Sequence, residues 1–366
     1  MSLELGASEW KIAFSPGLGQ QPRQRQVAAG DLEALKKEIA AAKARFGLAA
    51  DVPVVSCYEA GRDGFWIHRA LKQLGVKNYV VDSAAIEVNR RARRAKTDRL
   101  DAAKLVTMLL RYLSGETRVW KEVRVPTEEE EDRRHLHREL KTVKQARTAV
   151  TNRIKGLLAT VGVRLAEITE LPQVLERLRL WNGGKLPKWL RARVERDWQE
   201  REQMQQRIAV LEKQRRELLR TATDSGSVCA RQLHQLRGMG MNASWLYALE
   251  FFAWREFRNR RQVGGLAGLV PTPYQSGADR REQGISKAGN RWMRSLAIEI
   301  AWGWLRYQPD SELSRWYQER YGRGSTRLRK VGIVALARKL LIELWKYLKT
   351  GTPPAGAVLK KSAQAA

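Results

Sequence analysis

The feature that most constrains the fold is a change of hydrophobic pattern near residue 98. Before it, short apolar runs typical of strands (3–14, 25–29, 52–58 and 78–81) alternate with helical patterns at 31–46 and 65–74. After it, the helical period continues to about residue 349. Alternating strands and helices are typical of an α/β layer domain, so the sequence predicts an α/β part followed by an all-α part.

Two long helices are predicted in the middle of the chain, each with one stripe of apolar residues, here called its seam. The first seam consists of Leu136, Leu140, Val143, Val150, Ile154 and Leu157. The second seam consists of Leu190, Val194, Met204, Ile208, Leu211 and Leu218, with Asp197, Arg201 and Arg215 at intermediate seam positions. These spacings predict a coiled-coil hairpin. An ordinary pair of bundle helices is an equal alternative, because charged seam positions weaken a long isolated coiled coil.

The C-terminal part contains a glycine-bearing turn followed by further helices. Gly238 and Gly240 precede an apolar helix in a helix-hairpin-helix-like arrangement, where backbone N–H groups would face a phosphate. A plain turn between two helices explains the same residues. Further helices are predicted at 285–307 and 326–349, and the small residues from Gly351 onward predict a disordered tail.

Charge and composition narrow the partner. The chain has 366 residues, with 68 Lys and Arg against 39 Asp and Glu, which gives a formal charge of +29. This excess argues against an enzyme for small anionic metabolites and makes DNA or RNA the leading partner. The two cysteines, Cys57 and Cys229, predict neither a disulfide framework nor a zinc site. No membrane span or signal peptide is predicted, so a cytoplasmic, nucleoid-associated protein is expected.

Four acids in the N-terminal part form a candidate metal site. Glu4 lies on the first strand, Glu59 follows a buried strand, and Asp98 and Asp101 share one face of a helix. Converging carboxylates suit paired Mg²⁺ or Mn²⁺ ions in phosphoryl transfer. Each has a plain structural alternative: Asp98 as a helix cap, Glu4 as a solvated residue, and Asp101 as an ion-pair partner of nearby arginines. Glu59 needs partners or a metal if it is buried.

Basic residues directly precede the two aspartates. They are Arg90, Arg91, Arg93, Arg94 and Lys96. Such a run is usually a solvated face, but next to clustered acids it is a candidate phosphate path for a nucleic acid.

A second constellation follows Gly264. It combines small residues and prolines with Ser276-Gly277, and then with the cations Arg280, Arg281, Lys287, Arg291 and Arg294. Ser276 would be presented on a loop as a nucleophile helped by a base or a metal. The alternative is that Ser276 only caps or turns a phosphate-contacting loop. No Gly-x-Ser-x-Gly elbow is present, which argues against a hydrolase triad.

Three motifs together resemble a known family. They are Cys57-Tyr58-Glu59-Ala60-Gly61, the segment 95–102 (AKTDRLDA), and Tyr274-Gln275-Ser276-Gly277 followed by the segment 284–291 (GISKAGNR). In this order they resemble the DEDD insertion-sequence transposases, the family numbered one hundred and ten, in its eleven-eleven branch. The likeness runs from the first strand to about Lys349.

The resemblance implies a RuvC-like, RNase H-type catalytic domain (1–125), a coiled-coil linker (126–225), a serine transposase domain (226–350) and a tail (351–366). It implies that Glu59, Asp98 and Asp101 bind metal and that Ser276 is the nucleophile. Glu4 stands where the family has Asp, with Glu9 a less favoured substitute. It further implies a bacterial or archaeal recombinase guided by a structured bridge RNA, which reads double-stranded donor and target DNA by base pairing.

The resulting hypothesis is a Mg²⁺-dependent recombinase that forms a phosphoserine intermediate. The acids of one subunit would act with the serine of another in a dimer or tetramer. Two alternatives stay open: a RuvC-like junction nuclease without a covalent intermediate, and a catalytically impaired nucleic-acid-binding protein.

Overall fold

A computed structural model describes residues 1–61, 64–82, 86, 98–276 and 279–360, with the backbone alone for 98–99, 274–276 and 279–282. The chain divides into two compact units, Met1–Thr127 and Glu128–Ala366. Within the described ranges, no helix is long and apolar enough to cross a membrane.

The first unit is built around a five-stranded mixed sheet. Its elements are β1 (Ser2–Leu5), β2 (Glu9–Phe14), β3 (Arg23–Ala28), α1 (Leu32–Arg45), β4 (Val55–Glu59), α2 (Trp66–Gln73), β5 (Lys77–Val81) and α3 (Asp98–Leu113). The strand order is β3-β2-β1-β4-β5, in which β1 to β3 are antiparallel and β4 and β5 run parallel to β1. The prediction of an α/β N-terminal part is confirmed.

The predicted single strand at 3–14 is a hairpin instead. The chain turns at 6–8, where the Gly6 amide donates to the Glu9 carbonyl at 3.0 Å. A Cβ on Gly6 would lie 2.5 Å from that oxygen, so the turn requires glycine. The Asp31 cap of α1 forms as predicted, with its carboxylate accepting from the Ala34 amide.

The sheet has two different faces. One face buries Leu3, Trp10, Ile12 and Tyr58 in the main core of the unit, together with Leu35 of α1 and Leu71 of α2. The other face carries Ala13 and Cys57, which pack against α3 through Ala102, Leu105 and Val106. This second face is where the candidate acids lie.

The second unit begins with a long helical hairpin. It consists of α4 (Glu128–Ala159), the short α5 (Leu171–Leu175) and α6 (Lys188–Thr221). Lys144 pairs with Glu212, and Arg153 pairs with Asp197, so α4 and α6 run antiparallel. Of the predicted seam, Leu140, Val143, Val150, Ile154, Val194, Ile208 and Leu211 are buried. Leu136, Leu190 and Met204 are half-buried, and Leu158 and Leu219 are buried where the prediction had Leu157 and Leu218. A straight helix of 3.6 residues per turn drifts from a 3.5-residue repeat, which explains the one-residue shift.

Two of the charged or polar seam positions, Arg147 and Asp197, have partners across the hairpin. Arg153 makes two 2.9 Å hydrogen bonds to the carboxylate of Asp197, and Arg147 donates to Gln205 at 2.7 Å. These partners remove the main cost of placing Asp197 and Arg147 in the seam. Arg215 has its partner outside the hairpin, where it donates to Asn242 at 2.5 Å.

The remaining elements are mostly helical. They are α7 (Ser225–Gln235), α8 (Met241–Leu246), a π-helical segment (Tyr247–Phe252), α9 (Arg260–Leu266), β6 (Pro271–Ser276), β7 (Asp279–Ile285), α10 (Arg291–Tyr307), α11 (Glu312–Tyr317), a second π-helical segment (Gln318–Gly322) and α12 (Thr326–Thr350). Trp304 is fully buried and Trp292 and Trp316 are half-buried, whereas Trp302 is exposed. Trp304 therefore packs in the core, whereas Trp302 faces solvent.

One expectation for this part was wrong. Residues 351–360 are not a disordered tail: Leu359 bridges to Leu236, and the Gln308 side chain accepts from the Val358 amide at 2.8 Å. This strand-like segment covers the glycine turn after α7, where the Arg237 amide donates to the Val358 carbonyl. That amide serves the fold rather than a phosphate. Residues 361–366 lie outside the described residues.

A buried carboxylate ties α4 to the π-helical segment. Glu250 accepts from His137 Nε2 at 2.9 Å and from Arg138 at 2.6 and 2.8 Å. Burial raises the pKa of Glu250, but the hydrogen bonds from His137 and Arg138 outweigh burial and hold that pKa at about 2, below its usual 4.5. A carboxylate with a depressed pKa stabilises the fold above pH 4.5, and this stabilisation is lost as the pH falls toward 2.

Replacing Glu250 with alanine is expected to lower the free energy of unfolding by about 3 kcal/mol at pH 7, because it removes the carboxylate whose pKa is held low and leaves the buried His137 side chain without its hydrogen-bond partner. The difference from wild type should shrink at pH 3. Urea unfolding at both pH values measures it. Glu217→Ala, which removes an exposed partner of Arg220, should cost less than about 1 kcal/mol. Equal losses in the two variants would contradict this role for Glu250.

Candidate active site and nucleic-acid interface

Two of the predicted acids lie side by side at the carboxyl ends of neighbouring parallel strands. Ser2 pairs with Cys57 and Leu3 with Tyr58. Continuing this register by one residue places Glu4 beside Glu59. Paired positions in a sheet project to the same face, so both residues belong to the face that carries Ser2 and Cys57. Glu4 is half-buried and Glu59 is exposed.

Helix α3 packs on this same face and positions the aspartates. The Ser2 hydroxyl donates to the Ala102 carbonyl at 2.7 Å, and Cys57 Sγ lies 3.7 Å from the Leu105 carbonyl oxygen. Asp101 directly precedes Ala102, the residue whose carbonyl accepts from Ser2 at the start of β1. Asp98 is the first residue of α3, and its side chain lies outside the described residues.

The same face holds further polar groups next to Glu4. Lys11 of β2 is the register partner of Glu4, and its ammonium lies 2.6 Å from Glu9 Oε1. Gln26 also donates to Glu9. Glu9 is thus held by Lys11 and Gln26 on this face. Among the side chains that the structure describes, no three acids, histidines or cysteines come together as a metal cluster.

The Cys57 thiol is a structural neighbour of this site rather than a reactive group. It is fully buried under α3, and burial raises the pKa of Cys57 to about 12. A thiol in this state is a poor nucleophile and a poor metal ligand. The predicted phosphate path, Arg90, Arg91, Arg93, Arg94 and Lys96, lies outside the described residues.

The serine constellation forms a β-hairpin, not the loop that the sequence predicted. Ser276 is the last residue of β6 and pairs with Asp279 of β7. Arg280 pairs with Gln275, and Arg281 pairs with Tyr274. The backbone thus places both arginines on the strand next to Ser276. Gly277 lies outside the described residues.

The base of the hairpin is held by close contact between two backbone segments. A Cβ on Gly268 would lie 2.1 Å from the Ala288 carbonyl oxygen, and one on Gly289 would lie 2.2 Å from the Leu266 carbonyl oxygen. Both glycines also have positive φ values, so other residues would be strained there. The small residues of these motifs therefore fix the hairpin against the start of α10.

The predicted cations near α10 differ in their roles. Lys287 and Arg291 are exposed, and Lys287 has a positive φ of 55°. Arg294 donates to the Ala288 carbonyl at 3.1 Å and supports the loop. Asn290 caps α10 by accepting from the Trp292 amide at 2.9 Å. Lys287 and Arg291 are thus placed to meet a phosphate beside the hairpin.

Sequence reasoning missed a set of cations beside this hairpin. They line a cavity next to Pro271 and Ile285: Arg260, Arg261, Arg327, Lys330, Arg338 and Lys339. Four of them lie on α12, at positions 327, 330, 338 and 339. On a helix, positions 327, 330 and 338 share one face, and this spacing could have indicated a charged face in the sequence.

Comparison with known proteins decides the family. Residues 230–318 match the family model described as Transposase IS116/IS110/IS902 family. The chain is 43% identical over 373 residues to "Putative transposase y4rJ" of Sinorhizobium fredii, covering 98% of this chain and 94% of that protein. The chain belongs to the IS116/IS110/IS902 transposase family. The match to the family model covers α8, the hairpin with Ser276 and all of α10, so the second constellation is part of what defines an IS116/IS110/IS902 transposase domain.

More distant relatives carry the same kind of name. The transposase for insertion sequence element IS1111A of Coxiella burnetii is 29% identical over 218 residues, covering 56% of this chain and 55% of that protein. The transposase for insertion sequence element IS1328 of Yersinia enterocolitica is 27% identical over 233 residues, covering 62% of this chain and 65% of that protein. The predicted likeness to the eleven-eleven branch of the family is confirmed.

Proposed function

We propose that this transposase is a metal-dependent DNA recombinase that cuts and rejoins strands through Ser276. The observation that carries the proposal is the placement of Glu4 and Glu59 at neighbouring register positions, on the sheet face over which α3 carries Asp98 and Asp101. The mixed sheet, with antiparallel strands on one side of β1 and parallel strands on the other, supports a RuvC-like, RNase H-type assignment for residues 1–125.

The donor set suits a hard cation. Glu4, Glu59, Asp98 and Asp101 would hold Mg²⁺ or Mn²⁺, which prefer carboxylate oxygens. When bound, the ions would stabilise the charge that develops on the attacking and leaving oxygens of a phosphate. Lys11, the register partner of Glu4, would limit the repulsion between Glu4 and Glu59 before a metal binds.

Ser276 would perform the covalent step. Its hydroxyl loses a proton and attacks a DNA phosphorus, which forms a P–O bond to serine. The P–O bond to the leaving deoxyribose oxygen breaks, and that oxygen takes up a proton. In rejoining, a deoxyribose hydroxyl attacks the phosphoserine and releases the serine. The number of phosphodiester bonds is conserved, so no energy source is needed. Arg280, Arg281, Lys287 and Arg291 would bind the surrounding phosphates.

The proposal extends to partners and assembly. A bridge RNA would choose the donor and target DNA by base pairing, which fits a chain of +29 charge that has no evident base-reading motif. The helical hairpin within 126–225 would link the acid-bearing domain to the serine domain (226–350), and the acids of one subunit would act with the serine of another in a dimer or tetramer.

A covalent adduct is the test. Wild-type protein is incubated with Mg²⁺, labelled duplex DNA from the ends of the element and RNA transcribed from its flanks, and then run on a denaturing gel. We expect a labelled protein band, and peptide mapping should place the nucleotide on the peptide containing Ser276. Cleavage without an adduct would support the junction nuclease, and binding without cleavage would support the impaired binding protein.

A further inference from the structure

The second unit contains a cavity of about 910 Å³ at the base of the Ser276 hairpin. It opens among α9, the hairpin, α11 and α12. Its apolar wall consists of Leu269, Pro271, Ile285, Trp316, Val331 and Val334. Its cations are Arg260, Arg261, Arg327, Lys330, Arg338 and Lys339, and none of the described residues that line it is acidic.

The cavity wall combines two kinds of surface. Lys339 lies over the Trp316 ring, 4.5 Å from its centroid, so an aromatic face and a cation adjoin within the cavity. Val331 lines it while remaining 54% exposed. Arg338 packs against Gly264, where a Cβ would lie 3.0 Å from its Nε. The absence of a side chain at Gly264 thus leaves room for this guanidinium in the wall.

This combination selects the chemistry of the occupant. A small anion would leave the apolar wall exposed to water. A purely apolar ligand would leave six cations without a counter-charge. A nucleotide satisfies both, because its base is flat and apolar on its faces and its phosphate is anionic. The volume falls within the range of pockets that enclose such molecules, roughly 300–1,000 Å³.

The position of the cavity indicates which nucleic acid supplies that nucleotide. Pro271 pairs with Ile285 at the base of the hairpin, and both residues line the cavity. Ser276 lies five residues further along β6, roughly 17 Å away at about 3.4 Å per residue. Successive nucleotides of B-DNA rise about 3.4 Å along the axis. A DNA strand that follows the hairpin would therefore place a nucleotide about five steps from the reacting phosphate at the cavity.

We propose that the cavity binds one unpaired base of the DNA strand on which Ser276 acts, about five nucleotides from the phosphate that reacts. The base lies against Trp316 and the apolar wall, and the adjoining phosphates contact Arg327 and Lys330. Enzymes that hold a base outside the helix use pockets of this kind. This inference rests on the proposed function, since it takes Ser276 as the residue that meets the DNA.

Photocrosslinking of full-length protein tests the inference. The probe is a twelve-residue oligothymidylate that carries one 5-iododeoxyuridine, and the crosslinked peptide is identified by mass spectrometry. We expect a crosslink to Trp316. Val331→Trp should fill the cavity without changing charge, remove this crosslink and weaken oligonucleotide binding about tenfold, a loss consistent with one stacked base. Val210→Trp is the matched control, because Val210 is a similarly exposed valine on α6.

Several results would overturn the inference. A crosslink that maps elsewhere, or wild-type affinity in Val331→Trp, excludes a base in the cavity. Tighter binding of oligouridylate than of oligothymidylate excludes DNA as the source. A change in the sedimentation of the free Val331→Trp protein, with oligonucleotide binding intact, indicates that a second copy of the chain fills the cavity instead.

The spacing is tested separately. In the covalent complex, the iodinated nucleotide is moved along the DNA one position at a time, and crosslinking to Trp316 should be strongest about five nucleotides from the attached phosphate. If the oligonucleotide crosslinks to Trp316 but no adduct forms at Ser276, the proposed function fails while base binding stands. If the adduct forms and Trp316 is never crosslinked, the inference alone fails.

Discussion

Replacing Ser276 with alanine is expected to abolish the protein–DNA adduct and to lower strand joining by roughly a thousandfold or more. Removing a nucleophile removes the covalent route itself, and losses of this size or larger are typical when a member of such a catalytic unit is deleted. DNA binding should stay within about twofold of wild type, because Ser276 carries no charge and the cations of the hairpin remain. Denaturing gels measure the adduct, and fluorescence anisotropy measures binding.

Thr272→Val is the matched control for this variant. Thr272 lies on the same strand, and its hydroxyl donates to the Gly284 carbonyl at 3.3 Å. The substitution removes a hydroxyl from the hairpin while keeping a β-branched side chain, so the adduct should persist. An adduct of normal yield in Ser276→Ala would exclude this serine as the nucleophile. Loss of the adduct in both variants would show that the hairpin fails to fold without its hydroxyl groups.

Local patterns in the sequence predicted the elements that carry the acids. Val54 to Tyr58 is an apolar, β-branched run, and it forms β4 with Glu59 as its last residue. The neighbouring register positions of Glu4 and Glu59 depend on the pairing of β1 with β4, which joins segments more than 50 residues apart. Neither segment contains that register, so the sequence predicts an acid on each strand segment but not their alignment or the hairpin that ends β1 near Glu4.

The C-terminal hairpin shows a case in which local propensity predicted the wrong secondary structure. Pro271 and Pro273 in β6 and the charged residues of β7 have low strand propensity, so the pattern predicted a loop. The structure holds the hairpin through the backbone contacts of Gly268 and Gly289, which are tertiary contacts. The cavity beside it is formed by four separate elements, so no single segment of the sequence predicts it.

The second large effect concerns the acids. Glu59→Gln is expected to lower both strand cleavage and adduct formation by roughly 100- to 1,000-fold, because an amide keeps the shape of the side chain but removes the charge that attracts a divalent cation. Glu33→Gln is the control, since Glu33 is an exposed acid of the same unit that pairs with Lys36. It should retain wild-type rates in assays with Mg²⁺ or Mn²⁺.

Glu4 gives a sharper test, because the resemblance to the DEDD transposases implies the shorter aspartate at this place on β1. Glu4→Gln should lose activity as Glu59→Gln does. Of the two neighbouring strand positions, only Glu59 would then still carry a carboxylate. Glu4→Asp keeps the charge and should retain cleavage, with a shift in the concentration of Mg²⁺ that gives half the maximal rate, because one methylene moves the carboxylate relative to Glu59. Full activity in Glu4→Gln would exclude Glu4 as a metal ligand. Glu9 would then be the candidate ligand on this part of the sheet, although it contacts Lys11 and Gln26. In that case Glu9→Gln should abolish cleavage.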